Sequence, residues 1–240
     1  MSVSASDGVI RAPRPVVDYS SGSTKRGRPG EPSMAARKTA GANPVTPEIR
    51  AFEYATGLFA VLIGLAVADI ATSFHRLLRV KSAVRWDSLA LLAAGYTLCQ
   101  VVAMWFDLWG VRHFGTIRYF FFYLSLIAEF FVLFLLSATS LPDEPGEGVD
   151  LREYYSGNRR YFWTLVTIFQ ALYVADGFYF ARSEIGKFPL QMIVMANVIM
   201  CAPLAISVVL MCVKKRSAHY IGILLLLIIM GLHYGPASIN

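Results

Sequence analysis

Residues 53–79 read EYATGLFAVLIGLAVADIATSFHRLLR, and this stretch decides the fold class because its apolar run is long enough to cross a bilayer. About 20 apolar residues span the hydrocarbon core when each adds about 1.5 Å of helix. One carboxylate, Asp69, lies well inside the run, and His75 and Arg76 close it. Because an ionisable side chain is costly at membrane depth, the carboxyl group is expected to face protein or water and not lipid.

Five further apolar runs follow, and the charged residues collect in short clusters between them. Hydrophobic residues make up 56% of the 240-residue chain, which argues against an ordinary soluble domain. Backbone groups in lipid must be satisfied within each helix, so we predict an all-α membrane protein, a six-helix transmembrane bundle over residues 47–240. The predicted spans are about 54–75, 88–109, 118–140, 160–181, 189–213 and 219–235.

Residues 1–46 are rich in Ser, Gly, Pro, Arg and Lys, and they show no apolar periodicity. This composition predicts a disordered basic tail, which a translation start at Met34 in place of Met1 would shorten. The net charge of +6 does not indicate a nucleic-acid partner, because Lys and Arg lie at the ends of apolar runs as expected for membrane anchoring. Basic residues are divided so evenly between the two sides that both membrane orientations stay open.

The segment DLREYYSGNRRYFW, residues 150–163, connects the third and fourth spans. Asp150 and Glu153 have the spacing of a capping box for a short surface helix, and Asn158 is placed to cap the fourth span. Basic and aromatic side chains follow that are typical of juxtamembrane anchors at the level of the headgroups. These predicted anchors are Arg159, Arg160 and Trp163.

Together, the HRLLR end of the first run, the basic loop and Trp after it, and DLREYYSGNRRYFW resemble an uncharacterised group of small bacterial integral membrane proteins. The resemblance covers residues from about 50 to about 235. It implies a multi-pass protein of the inner (plasma) membrane. It implies no activity, so no functional residue is carried over from it.

The first span carries a stripe of small residues at helical spacing, which favours close approach of another helix. The predicted helix-packing residues are Gly57, Ala60, Gly64 and Ala68. Asp69 points to nearly the opposite side, with Ser73 and Arg76 near its own face. Since both sides then require protein neighbours, we predict that the first span is central in the bundle.

Glu129, in LSLIAEFFVLFLL, lies at the middle of the third span among Phe and Leu. Desolvation there favours the neutral acid, and a protonatable carboxyl group at the midplane is typical of proton-coupled transport. The alternative is a protonated side chain that ties two helices together by a hydrogen bond and has no further role.

Other acids lie towards the membrane face where the second, fourth and sixth spans end. We predict that Glu53, Asp107 and Asp176 line a polar vestibule that leads to Glu129. Asp69 is predicted to have a supporting role. Two amides, Gln100 and Gln170, are predicted further in. The alternative places each acid at headgroup level, paired with Arg112, Arg118 or Arg182.

No HExxH, Walker or GxSxG motif is present, so the sequence predicts no enzyme, metal site or cofactor. His219 and His233 lie on roughly one face of the last span, but paired haems would require facing histidines on a second helix. Pro203 predicts a kink in the fifth span. Two functions remain: a membrane protein that binds or moves a proton-linked solute or ion, or a non-catalytic subunit or scaffold that binds a partner membrane protein or a second copy.

Overall fold

The computed structural model describes residues 47–80, 84–111, 120–143, 148–183 and 190–235, and within these ranges six helices follow one another. They are α1 (Pro47–Arg79), α2 (Ser88–Val111), α3 (Phe120–Ser140), α4 (Leu151–Ser183), α5 (Leu190–Cys212) and α6 (Arg216–Tyr234). Five of them are long and apolar enough to cross a membrane, and α5 adds the apolar segment Val198–Cys212. The predicted all-α membrane fold is therefore confirmed, whereas the predicted tail, residues 1–46, lies outside the described residues.

The helix at the centre of the bundle is α2, which packs against α1, α3, α4 and α6. Its small side chains allow close approach along one face: Ala90, Ala93 and Thr97 are each at most 1% exposed. The prediction that the first span is central is wrong, because α1 packs mainly against α3 and α2 and lies at the edge of the bundle.

The outward face of α1 is its stripe of small residues. Its inward face repeats every seven residues through Phe59, Ala66 and Ser73, each at most 2% exposed. By contrast Gly57, Ala60, Gly64 and Ala68 are exposed, and a Cβ built at Gly57 or Gly64 would meet no atom within 4 Å. The helix-packing role predicted for this stripe is therefore not used within the described part of the chain, because the bulky face of α1 takes the contacts.

The segment 150–163 forms the first turns of α4 and not a separate surface helix. Gly148 adopts a positive φ of 84°, and Asp150 Oδ1 then accepts hydrogen bonds from the backbone N–H groups of Arg152 (2.8 Å) and Glu153 (3.3 Å). Asp150 therefore caps α4 itself. Asn158 lies inside the helix, so its predicted role as the cap of the fourth span is wrong.

At about 1.5 Å per residue, the 33 residues of α4 extend for about 50 Å. This length exceeds the hydrocarbon core of about 30 Å, so the first turns of α4 extend beyond the core or the helix tilts. Apolar side chains continue into these turns: Leu151 and Trp163 are fully buried and Tyr155 is 6% exposed. A buried Trp163 cannot anchor the protein at the lipid surface, which corrects that prediction, whereas Arg160 is exposed and Arg159 half-buried.

Three short connections are tied together at the end of the bundle where α4 and α6 begin. The Arg85 backbone N–H donates to the Val149 carbonyl at 2.9 Å, and the Arg85 carbonyl accepts from the Leu151 N–H at 3.1 Å. The Arg85 and Asp150 side chains form an ion pair at 3.2 Å. Arg216, at the start of α6, pairs with Asp87 at 2.6 Å. We call this end of the molecule the tied end.

Replacing Asp87 with alanine is expected to lower the free energy of unfolding by about 2 kcal/mol. Asp87 Oδ2 accepts from Ala90 N–H at 3.3 Å and so caps α2, while Oδ1 pairs with Arg216. Asp87→Asn retains a capping oxygen and loses only the ion pair, so it should cost less than half as much. Thermal unfolding in detergent micelles measures both changes. Equal losses for the two variants would contradict the capping role.

Candidate functional site

Three carboxyl groups approach one another inside the bundle, one each from α2, α3 and α4. Glu129 is 1% exposed, and its Oε1 atom has no hydrogen-bond partner among the described residues. Asp107 and Asp176 both lie near enough to Glu129 to act on it electrostatically. We call Asp107, Glu129 and Asp176 the acid cluster. It lies between the middle of the bundle and the end opposite the tied end.

Two tyrosines close one side of the acid cluster. The Tyr234 hydroxyl, on the last residue of α6, donates to Asp107 Oδ2 at 2.5 Å. Tyr173 on α4 lies near enough to the same carboxyl group to interact with it, and its hydroxyl lies 3.5 Å from that of Tyr234. Asp107 therefore has two phenol partners, whereas Asp176 has the Ser125 hydroxyl for one oxygen and no partner for Oδ2.

The electrostatics of the acid cluster favour bound protons. Among the described residues, no lysine or arginine forms an ion pair with any of its members, and His233 is the one basic group that interacts with Asp107. Three carboxylates cannot all be ionised in a water-poor site without counter-ions. The cluster can therefore hold and release protons, which is the chemistry that a proton-linked membrane protein requires.

A cavity lies beside the acid cluster, between α2, α4, α5 and α6. Its polar lining comes from Tyr96, Gln100, Gln170, Tyr173, His233 and Tyr234. The remaining wall is apolar and includes Pro203 on α5 and Leu226 on α6. Its unfilled space, counted together with the open mouth, is about 520 Å³. Tyr234 belongs to both features, since it lines the cavity and donates to Asp107.

The structure places Asp69 in a separate region, near the tied end. Its Oδ2 atom has no hydrogen-bond partner among the described residues, and it lies within electrostatic reach of Asp143 and Arg76. Asp143 in turn accepts from the Ser73 hydroxyl at 2.9 Å, and its carbonyl accepts from Arg76 at 2.7 Å. Asp69 therefore does not join the acid cluster. The side chain of Glu53, like those of Arg112 and Arg118, lies outside what the structure describes.

A second buried polar chain links α4 to α6 near the tied end. His219 Nε2 lies 2.9 Å from the Val213 carbonyl, which can only accept, so this nitrogen carries the proton. Nδ1 then accepts from the Tyr155 hydroxyl at 3.1 Å, and that oxygen accepts from Trp163 Nε1–H at 3.0 Å. Every member is satisfied, so we assign this chain a structural role.

The helical spacing of Tyr173 and Tyr96 relative to the acids and amides indicates that they belong to this region, although neither tyrosine was among the predicted site residues. On α4, Gln170, Tyr173 and Asp176 recur every three residues and so share one side of the helix. On α2, Tyr96 and Gln100 are four residues apart and Asp107 follows after seven. Tyr234 offered no such pattern, because its contact with Asp107 depends on how α6 packs against α2.

Comparison with known proteins does not assign the chain to a family. No family model, no curated protein and no solved structure matches the chain. Within the described residues, no three His, Cys, Asp or Glu side chains are grouped so that they could hold a metal ion. The apolar helices agree with an integral membrane protein in a lipid bilayer, and any finer function has to be argued from the site.

Proposed function

We propose that this protein binds or moves a proton-linked solute or ion across a membrane, with Glu129 as the protonatable centre. The observation that carries the proposal is the acid cluster: Asp107 on α2 and Asp176 on α4 both act electrostatically on Glu129 on α3, and none of the three has a basic ion-pair partner among the described residues. Glu129 supplies a nearly inaccessible carboxyl oxygen that has no partner in the described chain. An unpaired buried acid is costly, and membrane proteins retain such groups mainly where protons or ions are handled.

The proposed route for a proton is short, and its first two groups are joined by a hydrogen bond. Tyr234 lines the cavity and donates to Asp107, and Asp107 interacts with Glu129. A proton released or taken up in the cavity therefore reaches the midplane acid through one phenol and one carboxyl group. The bacterial inner membrane, implied by the sequence resemblance, is the location that we propose for this activity.

Proton flux into vesicles containing the purified protein tests the proposal. Glu129→Gln keeps the size and hydrogen-bonding capacity of the side chain but cannot exchange a proton, so flux is expected to fall to that of protein-free vesicles. Glu153→Gln makes the same change at an exposed position on α4 and should leave flux unchanged. Full flux in a correctly folded Glu129→Gln protein would refute the proposed role of the acid cluster.

The second candidate function is a non-catalytic membrane subunit or scaffold. It is favoured by the outward stripe Gly57, Ala60, Gly64 and Ala68, which leaves α1 with a face suited to another membrane helix. In that case Glu129 only ties helices together, so Glu129→Leu should lower stability while Glu129→Gln should not. Copurification with a stoichiometric membrane protein, together with unchanged flux in Glu129→Gln, would favour this function over the first.

A further inference from the structure

The side chain of Gln100 is a polar group of the cavity wall that has no hydrogen-bond partner among the described residues. The side chain is 8% exposed, lines the cavity, and makes no hydrogen bond with the described residues. Gln170, across the cavity on α4, is 4% exposed, and its Nε2 atom donates to the Tyr96 hydroxyl at 3.4 Å, which leaves its carbonyl oxygen without a described partner. The amide donors and acceptors that have no described partner are therefore available to a ligand in the cavity.

The opposite wall adds an acceptor from the backbone. Pro203 lies inside α5 and has no N–H, so the carbonyl of Ile199, four residues earlier, loses its helical hydrogen bond. Ile199 and Pro203 both line the cavity. The proline therefore does more than bend the helix, because it leaves a backbone acceptor at a residue that lines the cavity.

The rest of the lining is uncharged and apolar. Asp107 lies behind Tyr234 and is engaged by it, and the described basic side chain of the lining, His233, is exposed near the end of α6. A charged ligand would thus lose its hydration and meet no opposite charge deep in the cavity. Apolar walls with a few convergent polar groups are typical of sites for small organic ligands.

We propose that this cavity binds a neutral, lipid-soluble molecule whose flat head carries carbonyl or hydroxyl oxygens, the chemical class of the membrane quinones. An amide suits such a head, because it offers N–H groups to a carbonyl and its own oxygen to a hydroxyl. Aromatic and methionine side chains among the lining residues pack against a flat ring. The proposal rests on the proposed function only in that Tyr234 links this site to the acid cluster, and binding itself does not require Glu129.

Calorimetric titration of the purified full-length protein with decylubiquinone tests the proposal, and decylbenzene serves as a probe with the same tail and no oxygen. Saturable binding of decylubiquinone is expected, with no saturable binding of decylbenzene. Gln100→Met keeps the length of the side chain and removes its hydrogen bonds, so it should weaken binding about tenfold. Gln191→Met, the same change at an exposed position on α5, should have no effect.

The outcomes separate the binding site from the proton-linked function. Equal binding of both probes, no saturable binding, or unchanged affinity in Gln100→Met would overturn the cavity proposal, even if Glu129→Gln abolishes flux. Normal flux in Glu129→Gln together with amide-dependent binding would remove the proton-linked function and leave the binding site standing. If Gln100→Met fails to fold, Gln170→Met gives the second measurement at the facing amide, with the same expected loss.

Discussion

Replacing Trp163 with alanine is expected to lower the free energy of unfolding by about 3–5 kcal/mol, the range for removing a large buried aromatic side chain. The side chain is fully buried, packs against the rings of Phe162 (5.4 Å between centroids) and His219 (5.8 Å), and donates to Tyr155. Its loss would leave a cavity where α4 meets α6 and would remove the hydrogen bond that the Tyr155 oxygen accepts. Thermal or denaturant unfolding in detergent measures the change.

Two further variants show whether the loss comes from packing at this position. Trp86→Ala removes the same side chain where it is 44% exposed, and we expect a loss below about 1 kcal/mol. Trp163→Phe keeps most of the ring and removes the N–H donor, so it should cost about 1–2 kcal/mol. If Trp163→Ala costs no more than Trp86→Ala, Trp163 is not part of the packed core, and the anchoring role predicted from its sequence position would be restored.

The polar residues that precede Trp163 in the sequence are the reason why it is predicted to be a juxtamembrane anchor. Residues 152–160 contain three arginines, a glutamate and an asparagine, and this polar composition predicts that the fourth span begins at residue 160. The helical periodicity was nevertheless present: Leu151, Tyr155 and Phe162 share the side of α4 that faces the core, while Arg152 and Arg160 are exposed. The sequence therefore predicts a connection with a short surface helix, whereas the spacing of the apolar residues indicates an amphipathic extension of α4.

The sequence of one helix alone does not determine whether α1 or α2 is the central helix of the bundle. Both contain small residues at helical spacing, and in α2 these are buried while in α1 they are exposed. A stripe of small residues indicates only that the backbone of another helix is able to approach closely. Which backbone does so depends on the competing faces of all the helices, and α1 presents Phe59 and Leu77 to its neighbours.

The acid cluster was more accessible to sequence reasoning, since connectivity alone assigns Asp107 and Asp176 to the same end of the bundle. Their approach to Glu129 requires three different helices to meet, and α2 makes this meeting possible because it contacts both α3 and α4. Connectivity also assigned Asp69 to the other end, where the structure has it near Asp143. Spacing along a chain fixes the depth of a side chain in the membrane, whereas the partners at that depth depend on helix packing.

Asp107→Asn is expected to lower proton flux about 100-fold, the usual contribution of a positioned proton-transfer group. Asparagine still accepts the hydrogen bond that Tyr234 donates at 2.5 Å, so the contact between α2 and α6 is kept while the exchangeable proton is lost. Tyr234→Phe should lower flux only about tenfold, because Tyr173 also lines the cavity and interacts with Asp107. Flux into vesicles at a fixed pH difference measures each variant.

The double variant shows whether the two groups act in series. If a proton passes from Tyr234 to Asp107, Asp107→Asn with Tyr234→Phe should be no slower than Asp107→Asn alone, because a route already interrupted cannot be interrupted again. Tyr220→Phe is the matched control, since it removes a hydroxyl that lies 2.6 Å from Ser88 at the other end of α6. Multiplying losses in the double variant, or a Tyr234→Phe protein as active as Tyr220→Phe, would show that protons reach Glu129 without passing through this pair.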